Sequence, residues 1–410
     1  MTDSIILSLT DQIRQEVSGE AVSPGHQHAR LLQLADELKL AIETPTETVL
    51  RLIYQPPENA ALRTVVDMGI FPLLIRDGQK NGLTATDIAL CTGADRALIV
   101  RLMRVMSALG LCTNIEPEVY RPNEKTITMT QPIGQDGIQL RFIPENRTDT
   151  SSYDLTVPTL SKLPEYLREH SYSNPEDYAS SPMQWAVGQS QFEWLAKNKR
   201  HQALFNSYMS SRREGKPNWF DVYPLDRLTE GASAHPEAVF LVDIGGNQGH
   251  DLGKFVSEYR PKPGRLILQD LPKIVSTVDR TGIETMGYSF LDPQPVKNAR
   301  AYYFRAIFHD WPDHICQKIL LNTAAAMDPT YSRIIIVDFV LPDTNAGRMQ
   351  SAMDIQMMSI GAGVERSKRQ WTELLASVGL MISGIWNSSP GMESIIEVVP
   401  ALGASVSELD

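Results

Sequence analysis

The sequence predicts an α/β fold: an open, mostly parallel sheet with helices on both faces and an antiparallel last strand, preceded by a helical region of winged-helix shape. Three observations carry this. After Val239, short apolar runs alternate with helical patterns, the mark of strands joined by crossover helices. The last two runs, Leu380–Ile385 and Ser394–Val399, have little more than Asn387–Gly391 between them, too little for a crossover, so they must pair antiparallel. Before residue 117 leucines recur at helical intervals, and a short apolar piece with a polar turn follows the last helix.

In chain order, His28–Ala41 is a helix by its leucine spacing, and Thr84–Cys91 and Asp95–Leu109 are two short helices with Thr84 and Asp95 as caps. The ribbon follows Gly110 and turns at Arg121-Pro122-Asn123. This shape raises a DNA-binding reading. However, Asp95–Leu109 carries only Arg96, Arg101 and Arg104 among apolar residues on most faces, which suits burial or subunit packing better than a major groove. Glu124–Thr150 is polar and aperiodic, read as loop or ribbon. Tyr153–Tyr208 is helical and aromatic-rich, and a linker lies near Glu214-Gly215-Lys216-Pro217. Strands are predicted at Val239–Asp243, Arg265–Gln269, Thr285–Phe290, Ala301–Arg305 and Arg333–Phe339, with helices at Gly249–Tyr259 and Asp313–Ala326. The 410 residues exceed one typical domain, and divide as 1–150, 151–230 and 231–410.

The formal charge of −11 argues against a nucleic-acid surface. Three scattered cysteines form no C-x-x-C pair, which excludes a cysteine framework and points to a reducing compartment. The N-terminus lacks a basic stretch ahead of an apolar one, and no run reaches membrane-spanning length. A cytoplasmic chain without membrane association is expected.

The stretch VFLVDIGGNQG, Val239–Gly249, is the richest in chemistry. A buried strand ends at Asp243, and Gly245, Gly246 and Gly249 follow. The spacing is not the G-x-G-x-x-G of a dinucleotide site, and no Gly-Lys-Ser/Thr triplet makes it a phosphate loop. What remains is the D-x-G-G-x-x-G loop that in methyltransferases holds the amino-acid end of S-adenosylmethionine, or a purely structural turn. Asp270, about 20 residues on and at the next strand's tip, can take two ribose hydroxyls.

YYFRAIFHDWPD, Tyr302–Asp313, places His309 beyond another strand's carboxyl end, where open α/β sheets bind ligands. A lone histidine is more often structural; its place after a strand favours a site here. Together VDIGGNQGHDL, LILQDLP, FLDPQPV, YYFRAIFHDWPD, IIIVDFVLPD and GVERSKRQW, with FEWLAKNKRHQALFNSYM upstream, resemble the cation-independent S-adenosylmethionine-dependent O-methyltransferases typified by plant caffeate enzymes. The resemblance is closer to their fungal secondary-metabolite relatives. It implies a Rossmann-like methyltransferase sheet at 231–410, a helical connector at 151–230 and a winged-helix-like dimerisation domain at 1–150, hence a homodimer.

The resemblance also implies roles. Gly245 and Gly246 would approach the methionine moiety, Asp270 the ribose, and Arg305 the cofactor's rim, with Asp243, Gly249 and Leu271 also in the cofactor site. His309 would be the general base, steadied by Asp338, where the family usually has glutamate, and by Glu365. Ser289 replaces the family's frequent acid before Phe290, the pair expected at adenine. Met183, Trp185, Phe205, Met209, Asp310, Met357 and Met358 are assigned to the acceptor, a small molecule with a phenol or enol. No metal is implied. Three of these residues have a plainer role open to them: Asp338 as a loop cap, Glu365 as the partner of Arg366 or Lys368, and Arg305 as a partner of Asp310. The Ser289 departure keeps a dehydrating or pericyclic use of the same scaffold in view.

Overall fold

The computed structural model describes residues 2–19, 24–142, 156–211, 215–233, 235, 237–259, 264–389 and 391–401. The chain forms two compact units. One comprises Met1–Thr10, Asp36–Ser161 and Gln191–Gly215; the other comprises Asp11–Ala35, Lys162–Ser190 and Lys216–Asp410.

In the first unit the helices Ala85–Thr92 and Arg96–Ala108 begin at the two expected caps. Thr84 and Asp87 form a capping box, and the Asp95 carboxylate accepts from the amides of Ala97 and Leu98, which satisfies donors that a helix start leaves open. Strands β1 (Leu83–Thr84), β2 (Thr113–Glu116) and β3 (Val119–Arg121) make an antiparallel ribbon in the order β1-β3-β2. Ile99, Val100, Leu102, Met103 and Met106 are buried in a core with Ile70, Leu74 and Ile88, so the apolar character of that helix serves packing. The loop or ribbon expected over Glu124–Thr150 is not what forms in its described part. Helices Glu124–Thr130 and Pro132–Phe142 stand there, the first started by reciprocal bonds between Asn123 and Thr126; a local cap outweighed weak periodicity. Residues 143–150 of that stretch lie outside the described residues.

In the second unit seven strands form one sheet. They are β4 (Val239–Ile244), β5 (Arg265–Asp270), β6 (Glu284–Gly287), β7 (Ala301–Arg305), β8 (Arg333–Asp338), β9 (Leu380–Asn387) and β10 (Ser394–Pro400), in the order β6-β5-β4-β7-β8-β10-β9. Strands β4 to β8 pair in parallel, and β10 runs antiparallel to both β8 and β9, as the short final connection required. Alternate residues sort to opposite faces: Val242, Ile267, Tyr302, Phe304, Ile334 and Ile336 enter one core. Leu241, Leu268, Tyr303, Ile335 and Val337 enter the other. Burial on both faces explains why these strands read as unbroken apolar runs rather than alternating ones.

The third strand is shorter than the expected Thr285–Phe290. Tyr288 still donates its amide to Asp270, but the Asp292 amide then bonds to the Ser289 carbonyl, and this turn draws Ser289 and Phe290 off the sheet. The strand order reverses between β4 and β7, where an open α/β sheet leaves a crevice at its carboxyl ends.

Candidate active site

Two segments flank that crevice. After β4, Gly245 sits at φ +72° and Gly246 follows it. A Cβ on Gly245 would meet Ile307 Cδ1 at 2.5 Å, and one on Gly246 would meet the Asp243 carboxylate and Leu268 Cδ1 at the same distance. The glycines are therefore required by the chain's own packing, which draws the loop tightly onto β5 and the segment after β7. Gly249, also left-handed, caps the helix His250–Glu258.

Asp270, at the tip of β5, anchors this loop. Its carboxylate accepts from the amides of Asn247 (2.8 Å) and Leu271 (2.7 Å). Burial raises its pKa against the pull of those two amides. Each oxygen keeps a lone pair for a further donor. Phe290, half-buried, lies 3.9 Å from the position a Gly245 Cβ would take, so a flat apolar surface adjoins the loop. An acid able to accept from a diol beside an aromatic ring suits a nucleoside cofactor. Ser289 is half-buried with its Oγ 3.4 Å from the Leu291 amide, and Leu271 is 56% exposed.

The other flank starts at Ala306, a non-glycine residue at φ +52° whose amide bonds to Val337. Strain of this kind persists only where the surroundings over-determine the backbone. It turns the chain from β7 into the 3₁₀ turn Phe308–Asp310, which presents His309. The segment beyond the helix Arg348–Gly361 closes over this turn: Val364 donates its amide to the His309 carbonyl (3.0 Å). A Cβ on Gly363 would collide with that carbonyl, so only glycine allows the approach.

His309 is buried among acids. Its Nδ1 lies 2.8 Å from Glu365 Oε1 and 3.9 Å from Asp338 Oδ1, and its Nε2 lies 3.6 Å from Asp310 Oδ1. Burial opposes charge on the ring. Asp338, Asp310 and Glu365 outweigh that penalty and raise its pKa to about 10. Burial also lifts Asp310 to about 6 and Asp338 to about 7, against the attraction of His309. Asp338 Oδ2 and Glu365 Oε2 are buried with no hydrogen-bond partner among the described residues.

The two arginines have other partners. Arg366, 1% exposed, does not meet Glu365. Its guanidinium bonds to Asp313 and to the carbonyls of Phe308 and Trp311, tying together the turn that carries His309. Arg305 binds Asp251 (3.0 Å) and Glu393 (2.6 Å) rather than Asp310.

Three contributors escaped the sequence reading. Asp354 accepts from the Glu365 amide at 2.9 Å. Trp311 contacts Phe290 and Tyr178 with ring centroids 6.0 and 5.0 Å apart. Glu393 shares Arg305 with Asp251. An aromatic two residues after a site histidine was the one available signal. Of the residues assigned to the acceptor, Met183 and Trp185 lie on Pro182–Val187, a helix packed on Arg348–Gly361, which carries Met357 and Met358. Phe205 and Met209 lie on Lys199–Ser211, in the other compact unit. Among the described residues no group of three or more His, Cys, Asp or Glu could hold a metal ion.

Comparison with known proteins agrees with this architecture. The model of the O-methyltransferase domain family matches residues 173–381. The chain is 33% identical over 402 residues to methyltransferase cfoC of Aspergillus candidus, covering 96% of each chain. It is 32% identical over 407 residues to O-methyltransferase mpaG of Penicillium brevicompactum, covering 96% of this chain and 97% of that one. Among solved structures, LepI in complex with SAM matches with a TM-score of 0.82 at 30% identity over 98% of this chain and 100% of that one. OxaC in complex with SAH and oxaline matches with a TM-score of 0.78 at 26% identity, over the same shares. A structure described as a pericyclic reaction enzyme matches at 0.81 and 31% identity, over 97% and 99%. With the family model spanning half the chain and a third of residues shared across almost all of it, this protein belongs to the O-methyltransferase domain family.

Proposed function

We propose that this chain binds S-adenosylmethionine and transfers its methyl group to the hydroxyl of a phenol or enol on a small aromatic or polyketide-like secondary metabolite. The carrying observation is His309 with Nδ1 pinned to Glu365 at 2.8 Å and Asp338 behind it, which leaves Nε2 as the nitrogen that serves an acceptor. A phenol ionises near about 10 in water, so a base is needed, and a positioned one contributes about 10²–10⁴-fold. The cofactor, when bound, supplies a methyl group on a good leaving group. Asp243, Gly245, Gly246, Gly249, Asp270, Leu271, Ser289, Phe290 and Arg305 are the residues assigned to hold it. Asp310, Met183, Trp185, Met357 and Met358, with Phe205 and Met209, are assigned to the acceptor.

A second reading, dehydration or a pericyclic reaction with the cofactor as a fixed charge, is favoured by two observations. The structural likeness to the pericyclic enzyme exceeds that to OxaC in both TM-score and identity. The acids also favour a charged imidazole, which donates a proton rather than taking one. The test is incubation with S-adenosylmethionine and a panel of phenolic and enolic metabolites, followed by mass spectrometry. S-adenosylhomocysteine with a methylated product supports the first reading. A rearranged or dehydrated product with the cofactor intact supports the second.

We also infer a cytoplasmic homodimer that binds neither nucleic acid nor membrane. The division into a dimerisation segment, 1–150, a connector, 151–230, and a cofactor domain, 231–410, belongs to this proposal. Exposed Leu40, Ile42, Val49, Leu50, Ile53 and Tyr54 on Pro24–Ile42 and Pro45–Asp67 support the dimer, since many large apolar side chains left exposed on two successive helices suit an interaction face. Arg96 is engaged by Glu118, and among the described residues no helix is long and apolar enough to cross a membrane.

A further inference from the structure

The cluster around His309 holds more negative charge than a general base requires. Asp310, Asp338 and Glu365 lie within 3.9 Å of its ring nitrogens, and Asp354 stands behind Glu365. Among the described residues, the ring is the one cationic group in contact with these three acids. Arg305 is held by Asp251 and Glu393, and Arg366 by Asp313. Two carboxylate oxygens in the cluster, Asp338 Oδ2 and Glu365 Oε2, are buried and have no hydrogen-bond partner among the described residues. Buried carboxylates in excess are costly, and a cation that approaches them recovers part of that cost.

The cluster is continuous with the glycine loop. Ile307, two residues before His309, occupies the space a Gly245 Cβ would fill, and the Ala306 amide is bonded to Val337, next to Asp338. The acids therefore sit at the same end of the sheet as the loop, separated from it by one short turn.

We propose that Asp338, with Asp310 and Glu365, makes this site charge-selective: the acids favour a positively charged sulfonium over the neutral thioether left after the methyl group departs. Asp338 is here a specificity residue, acting at a distance on the ligand's charge. The inference rests on the cofactor reading above, and holds whether the chemistry is methyl transfer or rearrangement. Where the chemistry is methyl transfer, departure of the methyl group removes the cationic charge and with it this attraction.

The groups facing the cluster fix the expected pH dependence. These are Asp310 and His309 on the turn after β7, Asp338 on β8, Asp354 on the helix Arg348–Gly361, Glu365 after it, and Glu393 before β10, with Arg305 and Arg366 engaged as described. Asp310 and Asp338 take up protons near about 6 and about 7. Their charge, and with it the preference for the cation, grows as pH rises through that range.

Isothermal titration of the purified full chain with S-adenosylmethionine and, separately, S-adenosylhomocysteine tests this without turnover. An unscreened unit charge across a separation on the order of 10 Å, at an effective dielectric of about 20, changes a cation's affinity about tenfold. At about pH 8, where Asp338 is ionised, Asp338→Asn is therefore expected to weaken S-adenosylmethionine about tenfold while S-adenosylhomocysteine binding stays within about twofold. Asp310→Asn reads the same quantity should the first variant unfold. In the wild-type protein the ratio of the two affinities is expected to rise between about pH 5 and about pH 8. A ratio unmoved by both substitution and pH overturns the inference while leaving the cofactor reading intact. Failure of the wild-type chain to bind either ligand overturns the cofactor reading, and this inference with it.

Discussion

Replacing Glu365 with glutamine isolates the contact that holds the His309 ring. The bond it alters is 2.8 Å long and joins two groups that are both buried. A hydrogen bond to a charged group contributes about 1.5–3 kcal/mol. One pKa unit corresponds to about 1.4 kcal/mol, so the imidazole should lose about one to two units. Burial still opposes its charge, but Asp338 and Asp310 remain, so the ring should fall from about 10 without reaching its ordinary value. The assay is a pH titration of ¹⁵N-labelled histidine by long-range ¹H–¹⁵N correlation. The eight histidines of the chain are resolved by comparison with His309→Ala. A titration midpoint in Glu365→Gln indistinguishable from wild type would refute the reasoning, since it would mean the carboxylate neither charges nor orients the ring. A wild-type midpoint near 6.5 would refute the larger claim that the acids together outweigh burial.

Other expectations follow from the same geometry. His309→Ala should abolish methyl transfer while calorimetry still detects S-adenosylmethionine binding; retained turnover removes the proposed base. Because the folded-state pKa of His309 lies above its unfolded value, the folded chain binds the extra proton. That contribution is fully present below about pH 6.5 and is lost as pH rises towards about 10. Denaturant midpoints measured from pH 6 to pH 10 should therefore fall, and His309→Ala should flatten the decline. Gly245→Ala puts a Cβ 2.5 Å from Ile307 at φ +72°. The left-handed backbone alone costs about 1–2 kcal/mol, so urea unfolding should report at least that loss, with weakened cofactor binding. Arg366→Met strips donors from the carbonyls of Phe308 and Trp311. Because Asp313 is 65% exposed on its side chain, most of the cost is in those carbonyls, about 2–3 kcal/mol, read as a lowered melting temperature.

Local chemistry made much of the second unit legible from its residues alone. Apolar runs of strand length, the doubled glycine and the short final connection mark where β4 to β10 lie along the chain and reverse the last of them, because each is decided within a few residues. The same holds for the helices begun at Thr84 and Asp95. His309 could be placed at a strand tip for this reason, and Asp270 at another. Weak local signals fared worse. Glu124–Phe142 has no strong period, and its helices depend on a cap at Asn123 and on packing partners elsewhere.

What only the tertiary structure decided is which groups meet across long separations. His309 and Glu365 are 56 residues apart, and their contact depends on Gly363 letting one segment lie against the carbonyl of another. Whether Arg366 would neutralise Glu365 or brace the turn, and whether Arg305 would meet Asp310 or Asp251 and Glu393, was equally open in one dimension. The reason is physical: a helix or turn is stabilised by neighbours in sequence, whereas the charge state of a buried imidazole is set by whatever carboxylates packing brings within a few ångströms. The sequence by itself determined the sheet and the residue types at its carboxyl edge. The folded chain decided that those residues form a ring of acids around one histidine.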